Sequence, residues 1–388
     1  MGIKKLNFYK FLKQMCQICE KTNEEGKISV VLSSNFIQRM SLLRSIYSDV
    51  IQFRGSHYDY GLLHGKQIKD SLILKSRMYG WKIRRPRFEI NVKETREMFF
   101  KFAPSIWEEL EGLRDGLHMT MEEVLLHFGG YRTEIDKSGC SIFTTNQFMI
   151  RNYDFHPQTY EGRYTLFQPT DGGFAIIGPS SRITGRMDGM NEHGLVMGYN
   201  FTHRKKPGTG FTCTMIGRMV LQKCCTVEEA VALIKELPHR GSFSYVLLDQ
   251  KGDTAIVEAS PRHVIVRVDQ VCTNHFEVLK EENRYHLDDS FERMNVINRN
   301  KTDLTNPYDA FRLFNDRERG VFSEKYKSWA GTIHTSAYFP KEKKVWFALG
   351  GDQEPYIFDF GKWIEGEKLN VKQIHGKVNT DLSFAHLK

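Results

Sequence analysis

The chain has 388 residues, of which 40% are hydrophobic, 12% aromatic and 26% charged. This is the composition of a globular protein with a sizeable core, and it excludes a disordered or collagen-like chain. Lys+Arg minus Asp+Glu is 55 − 47 = +8, a mild excess that does not by itself indicate a nucleic-acid partner. No apolar run approaches the ~18 residues that span a bilayer.

The first residues, MGIKKLNFYKFLKQMCQIC, lack the uninterrupted apolar stretch and small-residue cleavage site of a secretory signal. Leu6 stands where a myristoylation motif requires Ser or Thr. Seven cysteines, an odd number without a repeating spacing, argue against a disulfide framework and for a reducing compartment. A soluble, cytoplasmic protein is therefore expected. Cys16-x-x-Cys19 has no second pair, and a structural zinc site needs four ligands, so these are read as ordinary thiols, as are Cys224 and Cys225. No metal is expected.

Residues 1–45 read as an irregular, partly helical lead-in. A short strand, Val50 to Phe53, then runs into Ser56, a good N-cap with Asp59 three residues on. Leu62, Ile68 and Leu72 keep a roughly helical period, while Gly61 and Gly65 allow close packing on one face. A basic stretch, Lys75 to Arg87, interleaves Tyr79 and Trp81 and reads as a solvated face. Residues 91–114 form a second helical segment, and a Thr120/Glu123 capping box opens a third that ends near Gly129-Gly130.

After residue 139 the character changes. Strand-like runs with turn punctuation occur at 140–155, 174–178, 194–202, 244–249, 254–259, 263–268, 331–338 and 344–349. A helix opened by the Thr226/Glu229 capping box and stopped by Pro238 lies among them, with others over 290–300 and 307–316. This pattern predicts an α+β fold of stacked antiparallel sheets covered by helices, an αββα sandwich, with a mainly helical segment over 1–139. No linker separates the two parts.

The stretch that carries chemistry is Gly139 to Phe155, GCSIFTTNQFMIRNYDF. Cys140 heads a strand, Thr145-Asn146-Gln147 forms a turn, and the return strand carries Arg151 and Asp154. A tight hairpin brings the start of one strand opposite the end of the other, so Cys140 is expected to meet both. A thiol facing a cation and a carboxylate is an arrangement for an activated nucleophile, although most free cysteines are simply buried apolar groups. Four further segments stand out: GMNEHGL followed by VMGYNF at 189–201, CTNHF at 272–276, DSFER at 289–293, and Thr332 to Ser336.

Taken in order, GSHYDYGLLHG, GC, RNYDF, GMNEHGL…YNF, TNHF and SFER resemble the N-terminal-nucleophile cysteine hydrolases. The likeness is to the isopenicillin-N-acyltransferase-like proteins and the related choloylglycine hydrolases. The long segment before Cys140 favours the first branch. The resemblance implies a chain that cuts itself between Gly139 and Cys140, leaving a segment of residues 1–139 retained beside a catalytic domain of residues 140–388. The freed α-amine, with an ordinary pKa of ~7.7–8.0, would serve as general base. Asp154 would hold that amine, Arg151 would favour the thiolate, Asn200 and Asn274 would donate to the oxyanion, and Arg293 would complete the polar lining.

The implied activity is that of an amidase or acyltransferase acting on N-acyl amines, with an acyl-coenzyme A donor possible and no cofactor required. The implied assembly is a heterodimer of its own two fragments, with higher oligomers left open. Two rivals remain. One is a papain-like Cys–His enzyme without processing; the other is a non-catalytic binding protein using Lys75 to Arg87. His156, His193, His203 and His275 flank the motifs and are assigned no catalytic role.

Overall fold

A computed structural model describes residues 43–83, 89–133, 139–202 and 205–387, together with the backbone of Cys19–Thr22 and Ile28–Val31, which pair as a small hairpin. The Cys16-x-x-Cys19 side chains, His203 and the end of the basic stretch over 84–88 lie outside the described residues.

Strand β1 (Leu43–Gly55) leads to α1 (His57–Ile68), where Ser56 accepts the Asp59 backbone N–H at 3.1 Å. Helices α2 (Leu72–Ile83), α3 (Val92–Phe102), α4 (Pro104–Leu117) and α5 (Met121–Phe128) follow. The segment expected as one helix over 91–114 is two helices. Pro104 lacks the N–H that would continue α3, and it occupies the first position of α4, where none is needed. The Thr120/Glu123 capping box forms as expected.

Next come β2 (Gly139–Thr144), β3 (Met149–Phe155), β4 (Arg163–Pro169), β5 (Ile176–Ser181), β6 (Asp188–Asn191) and β7 (Val196–Phe201). Helices α6 (Cys213–Lys223) and α7 (Val227–Glu236) precede β8 (Phe243–Leu248), β9 (Thr254–Ala259), β10 (Val264–Arg267) and β11 (Val271–Cys272). The chain ends with α8 (Asp288–Asn300), α9 (Pro307–Asn315), β12 (Ala330–Phe339), β13 (Lys344–Leu349), β14 (Tyr356–Asp359), α10 (Phe360–Ile364) and β15 (Gln373–Asn379). Helix α6 escapes sequence reading because its residues 213–222 are buried on every side, which erases the amphipathic period.

Two sheets result. One follows the order β10-β9-β8-β7-β6-β5-β4-β1-β15, the other β11-β2-β3-β12-β13-β14. All these pairs are antiparallel except β1 with β4. The sheets face each other across one apolar core that includes Cys140, Ile142, Tyr153, Val196, Val246 and Phe347. The outer face of the first sheet packs on α1 and α3–α7, and the outer face of the second on α8 and α9. The molecule is thus an α+β, four-layer αββα sandwich, and the helices that precede Gly139 share a core with those that follow it. No helix among the described residues is long and apolar enough to cross a membrane.

The first helical layer depends on α1 crossing α4 at backbone contact. A Cβ added at Gly61 would sit 1.9 Å from the Glu109 carbonyl oxygen, and one at Gly112 would sit 1.9 Å from that of Tyr58. Gly65 and Gly116 extend the same seam. Even one methyl group must therefore part the helices, an overpacking penalty of about 1–3 kcal/mol. Gly112→Ala is expected to lose that much in urea denaturation, whereas Gly172→Ala, where an added Cβ meets nothing within 4 Å, should show only the smaller strain of its positive φ.

Candidate active site

In the β2–β3 ladder Gly139 pairs with Asp154, Cys140 with Tyr153 and Ile142 with Arg151. Side chains alternate along a strand, so this register sends Cys140, Ile142, Arg151 and Tyr153 between the sheets. Ser141, Asn152 and Asp154 face α8 and α9. Cys140 was expected to meet both Arg151 and Asp154 with its thiol. The register places Arg151 on the thiol's face and the Asp154 carboxyl on the other face, beside Gly139.

On the thiol face Arg151 has no solvent exposure. Its Nη2 donates to Cys140 Sγ at 3.3 Å and to the Tyr199 carbonyl at 2.6 Å; Nη1 donates to Asp188 Oδ2 at 2.9 Å and to the Met187 carbonyl at 3.0 Å. The guanidinium lies between the rings of Tyr153 and Tyr199, at 5.0 and 4.9 Å from their centroids. Room for it exists because residue 198 is glycine: a Cβ there would lie 3.1 Å from Arg151 Cδ. Asp188 also accepts from Tyr338 at 2.9 Å and faces His334 Nε2 at 3.5 Å. Burial works to raise the Asp188 pKa, but Arg151 and His334 outweigh it and hold the carboxylate at about 2. Burial pushes the Cys140 thiol up and Arg151 only partly opposes this.

The opposite face grips the backbone of the same residue. The Cys140 N–H donates to Asn274 Oδ1 at 2.8 Å. Arg293, from α8, donates through Nη1 to the Cys140 carbonyl and to Ser141 Oγ, both at 2.6 Å, and through Nη2 to Asn274 Oδ1 at 2.8 Å. Asp289, one helical turn earlier, holds the guanidinium at 3.1 Å. Ser290 bonds the Asn274 backbone N–H at 2.7 Å and so fixes its loop to α8. The Asp154 carboxyl accepts from Thr332 at 2.7 Å through Oδ1, while its buried Oδ2 has no hydrogen-bond partner and lies 3.8 Å from Arg293. Burial raises the Asp154 pKa to about 7 against the pull of Arg293.

Cys140, Arg151, Asp154, Asn274 and Arg293 therefore converge on one strand end. Asn200 is buried nearby, but its Nδ2 donates to the Cys272 carbonyl at 2.8 Å, and the Asn274 Nδ2 donates to the Phe201 carbonyl at 2.9 Å. Each amide expected as an oxyanion donor thus gives one of its two N–H groups to a main-chain carbonyl. No histidine bonds the Cys140 thiol among the described residues. Sequence reading missed Asp188 and Tyr338, and it singled out the segment from Thr332 to Ser336 without giving Thr332 a role. Asp188 directly precedes the GMNEHGL piece, and its one signal was a carboxylate inside a strand that is buried throughout. Among the described residues only His263, Glu281 and Glu282 bring three metal-type donors together, and Glu282 is already held by Arg262 at 2.6 Å.

Residues 143–354 match the family model described as acyl-coenzyme A:6-aminopenicillanic acid acyl-transferase, a span that starts just beyond Cys140. Among solved structures, penicillin V acylase from Agrobacterium tumefaciens is similar at 17% identity over 64% of this chain and 92% of its own, with a TM-score of 0.43. A variant of the conjugated bile acid hydrolase from Clostridium perfringens aligns at 14% identity over 63% of this chain and 98% of its own, with a TM-score of 0.41. The Caenorhabditis elegans ortholog of N-acylethanolamine-hydrolyzing acid amidase aligns at 11% identity over 52% and 93%, with a TM-score of 0.37. No curated protein matches the chain in sequence.

The two carboxyls titrate in opposite senses. Asp154, with a folded pKa of about 7 against an ordinary 3.8, binds a proton more tightly when folded, so stability falls as pH rises from about 4 to about 7 and the loss is complete above that. Asp188, at about 2, contributes stability above about pH 4 that is lost as pH falls toward 2. In the Cys140→Ala chain, urea denaturation between pH 4 and 8 should show the falling limb, and Asp154→Asn should flatten it. Superimposable profiles would show that another group titrates. Asp188→Asn leaves Arg151 buried without a carboxylate and should cost about 3–5 kcal/mol at pH 7.

Proposed function

The chain belongs to the acyl-coenzyme A:6-aminopenicillanic acid acyl-transferase family, and on that premise we propose that it is a self-processing cysteine amidase or acyltransferase acting on N-acyl amines. The observation that carries this reading is the pair of bonds at Cys140. Its thiol meets Arg151 at 3.3 Å on one face, while its backbone N–H meets Asn274 Oδ1 at 2.8 Å on the other. The second bond holds the atom that would become the α-amine if the preceding peptide bond were cut.

Processing would begin with attack of Sγ on the Gly139 carbonyl carbon. The C–N bond breaks, the Cys140 nitrogen keeps the thiol's proton as an amine, and a thioester joins Gly139 to the sulfur. Water then hydrolyses the thioester, leaving a Gly139 carboxylate and a free thiol. Gly139 has no side chain to hinder this: a Cβ there would lie 3.5 Å from Asp154 Oδ2. That oxygen, which has no hydrogen-bond partner, would accept from the new amine once Gly139 withdraws.

In the processed enzyme the amine would take the thiol proton, held by Asn274 Oδ1 and Asp154. Arg151 would favour the thiolate, and Asp188 would keep Arg151 in place. The thiolate would attack the substrate's carbonyl, release the amine half and carry the acyl group as a thioester to water or to an acceptor amine; a coenzyme A thioester could load the same sulfur. Asn274 is better suited by its bonds to hold the amine than to stabilise the oxyanion. An oxyanion role for Asn200 would use the second N–H of its Nδ2, the first being held by the Cys272 carbonyl. Helices α1 and α3–α5 share the core of α6 and α7, which supports two fragments that stay together after cleavage.

The papain-like alternative requires a histidine at the sulfur, and His334, the nearest such residue to this network, faces Asp188 instead.

Mass spectrometry of purified protein should find fragments of 139 and 388 − 139 = 249 residues, and Cys140→Ala should give one uncut chain with no turnover. Recovery of uncut yet active wild-type protein would end the processing reading. Asn274→Ala in processed enzyme should lower kcat by roughly 10²-fold or more, the scale of a mispositioned general base, with little change in melting temperature.

A further inference from the structure

Beside the Cys140 site, residues 275–291 line a cleft of about 760 Å³ whose walls include Phe276, Arg284, Tyr285, Leu287 and Phe291. The cleft adjoins the catalytic groups through direct links. Phe276 lies two residues beyond Asn274. The Thr202 hydroxyl bonds both the Asn274 carbonyl and Asn283 Oδ1, at 3.2 Å each. The Arg284 guanidinium packs 5.4 Å from the centroid of Phe201, next to Asn200.

Arg284 is the anomaly in this wall. Its Nε is buried without a hydrogen-bond partner, and among the described residues no carboxylate pairs with it. The acidic groups along the same stretch are engaged elsewhere: Glu277 with Arg267 at 3.1 Å, Glu282 with Arg262 at 2.6 Å, and Asp289 with Arg293 and Lys325. Burial, followed by the charge of Arg293, lowers the Arg284 pKa, and the charge of Asp289, already bonded to Arg293 and Lys325, only partly opposes this. A half-buried guanidinium with no carboxylate hydrogen-bonded to it is costly, and an anion arriving from outside would relieve that cost. Large apolar side chains border it in water: Tyr285 is 83% exposed and Phe291 46% exposed, the composition of a ligand groove with one fixed polar anchor.

We propose that Arg284 docks a carboxylate of the substrate, so that the amides processed at Cys140 are amphipathic acids whose apolar part lies on Phe276, Leu287 and Phe291. The word substrate rests on the reading of Cys140 as nucleophile; the binding itself does not.

The test is calorimetric titration of the uncut Cys140→Ala chain with N-octanoylglycine and with its neutral counterpart N-octanoylglycinamide. The acid should bind saturably and about tenfold or more tighter than the amide, as a charge-assisted hydrogen bond requires. Arg284→Gln should erase that preference without weakening the amide, and Arg284→Lys should keep part of it. Absence of saturable binding by the acid, or an acid preference that survives in Arg284→Gln, overturns the proposal. Coenzyme A, which offers phosphates to the same cation, is titrated in parallel. Arg284-dependent binding of coenzyme A without binding of the acid would also overturn the carboxylate assignment. Because Cys140→Ala cannot turn over, a wild-type protein that proves inactive would sink the enzymatic reading and leave this result standing. Equal turnover of acid and amide by wild type would do the reverse.

Discussion

A guanidinium sealed between two sheets sets the terms for everything around it. Arg151 has no contact with solvent, and a cation in that position persists only with a counter-charge and acceptors at hand, which here meet both of its Nη groups. Asp188 supplies the counter-charge from β6, Tyr199 a carbonyl from β7, and Cys140 the sulfur from β2. These groups come from both sheets, so the sandwich must close before the charge is satisfied, and closing it in another register would strand the charge. The same burial raises the thiol's pKa. A sulfur held in this way sits beside its cation while its surroundings favour the thiol, so the proposed chemistry needs a base as well as an arginine next to the cysteine.

That dependence is divided between the faces of one strand. The thiol points into the core between the sheets, and the peptide unit it belongs to is held from the other side by Asn274 and Arg293. A rotation of β2 that improved one set of bonds would break the other, so the position of Sγ relative to its own backbone nitrogen is fixed by bonds to elements far apart in sequence. Arg293 joins three of them at once through the Cys140 carbonyl, Ser141 Oγ and Asn274 Oδ1. It acts as a clamp between α8 and the strand rather than as wall lining.

Much of this was legible in the sequence wherever the information is local. The N-cap at Ser56, the capping box at Thr120, the β8–β9 hairpin and the Cys140 hairpin each depend on residues a few positions apart. The alternation of β3 already implied that Arg151 and Asp154 point to opposite faces. Which of them shares the thiol's face follows from the pairing with β2, and a turn shifted by one residue would have exchanged them. Asp188 was invisible for a different reason: a lone carboxylate in a short buried strand gains meaning only from a cation 37 residues away. Arg293 was expected only to complete the polar lining, and on its own helix it pairs with Asp289 one turn earlier. What sequence could not show is that α8 lies against the end of β2, which buries the other half of the guanidinium. Strand β4 and helix α6 were missed because burial on all sides removes the polar–apolar alternation that announces an element.

The helices ahead of Gly139 complete the argument, because a cut chain keeps only what packing holds. Their apolar residues are not a cap laid over a finished domain: Phe99 packs edge-on to Phe211 at 5.2 Å, and Tyr60 stacks on Phe167 of β4 at 4.0 Å. Glu109 of α4 pairs with Arg218 of α6 at 2.5 Å, both without exposure. Separating the segments would expose these rings and leave a buried cation without its partner, whereas breaking one peptide bond at residue 139 removes none of these contacts. The proposed cleavage at the head of β2 would thus be local in its structural consequences, and Cys140 would gain a new amine there without the sandwich that positions it coming apart.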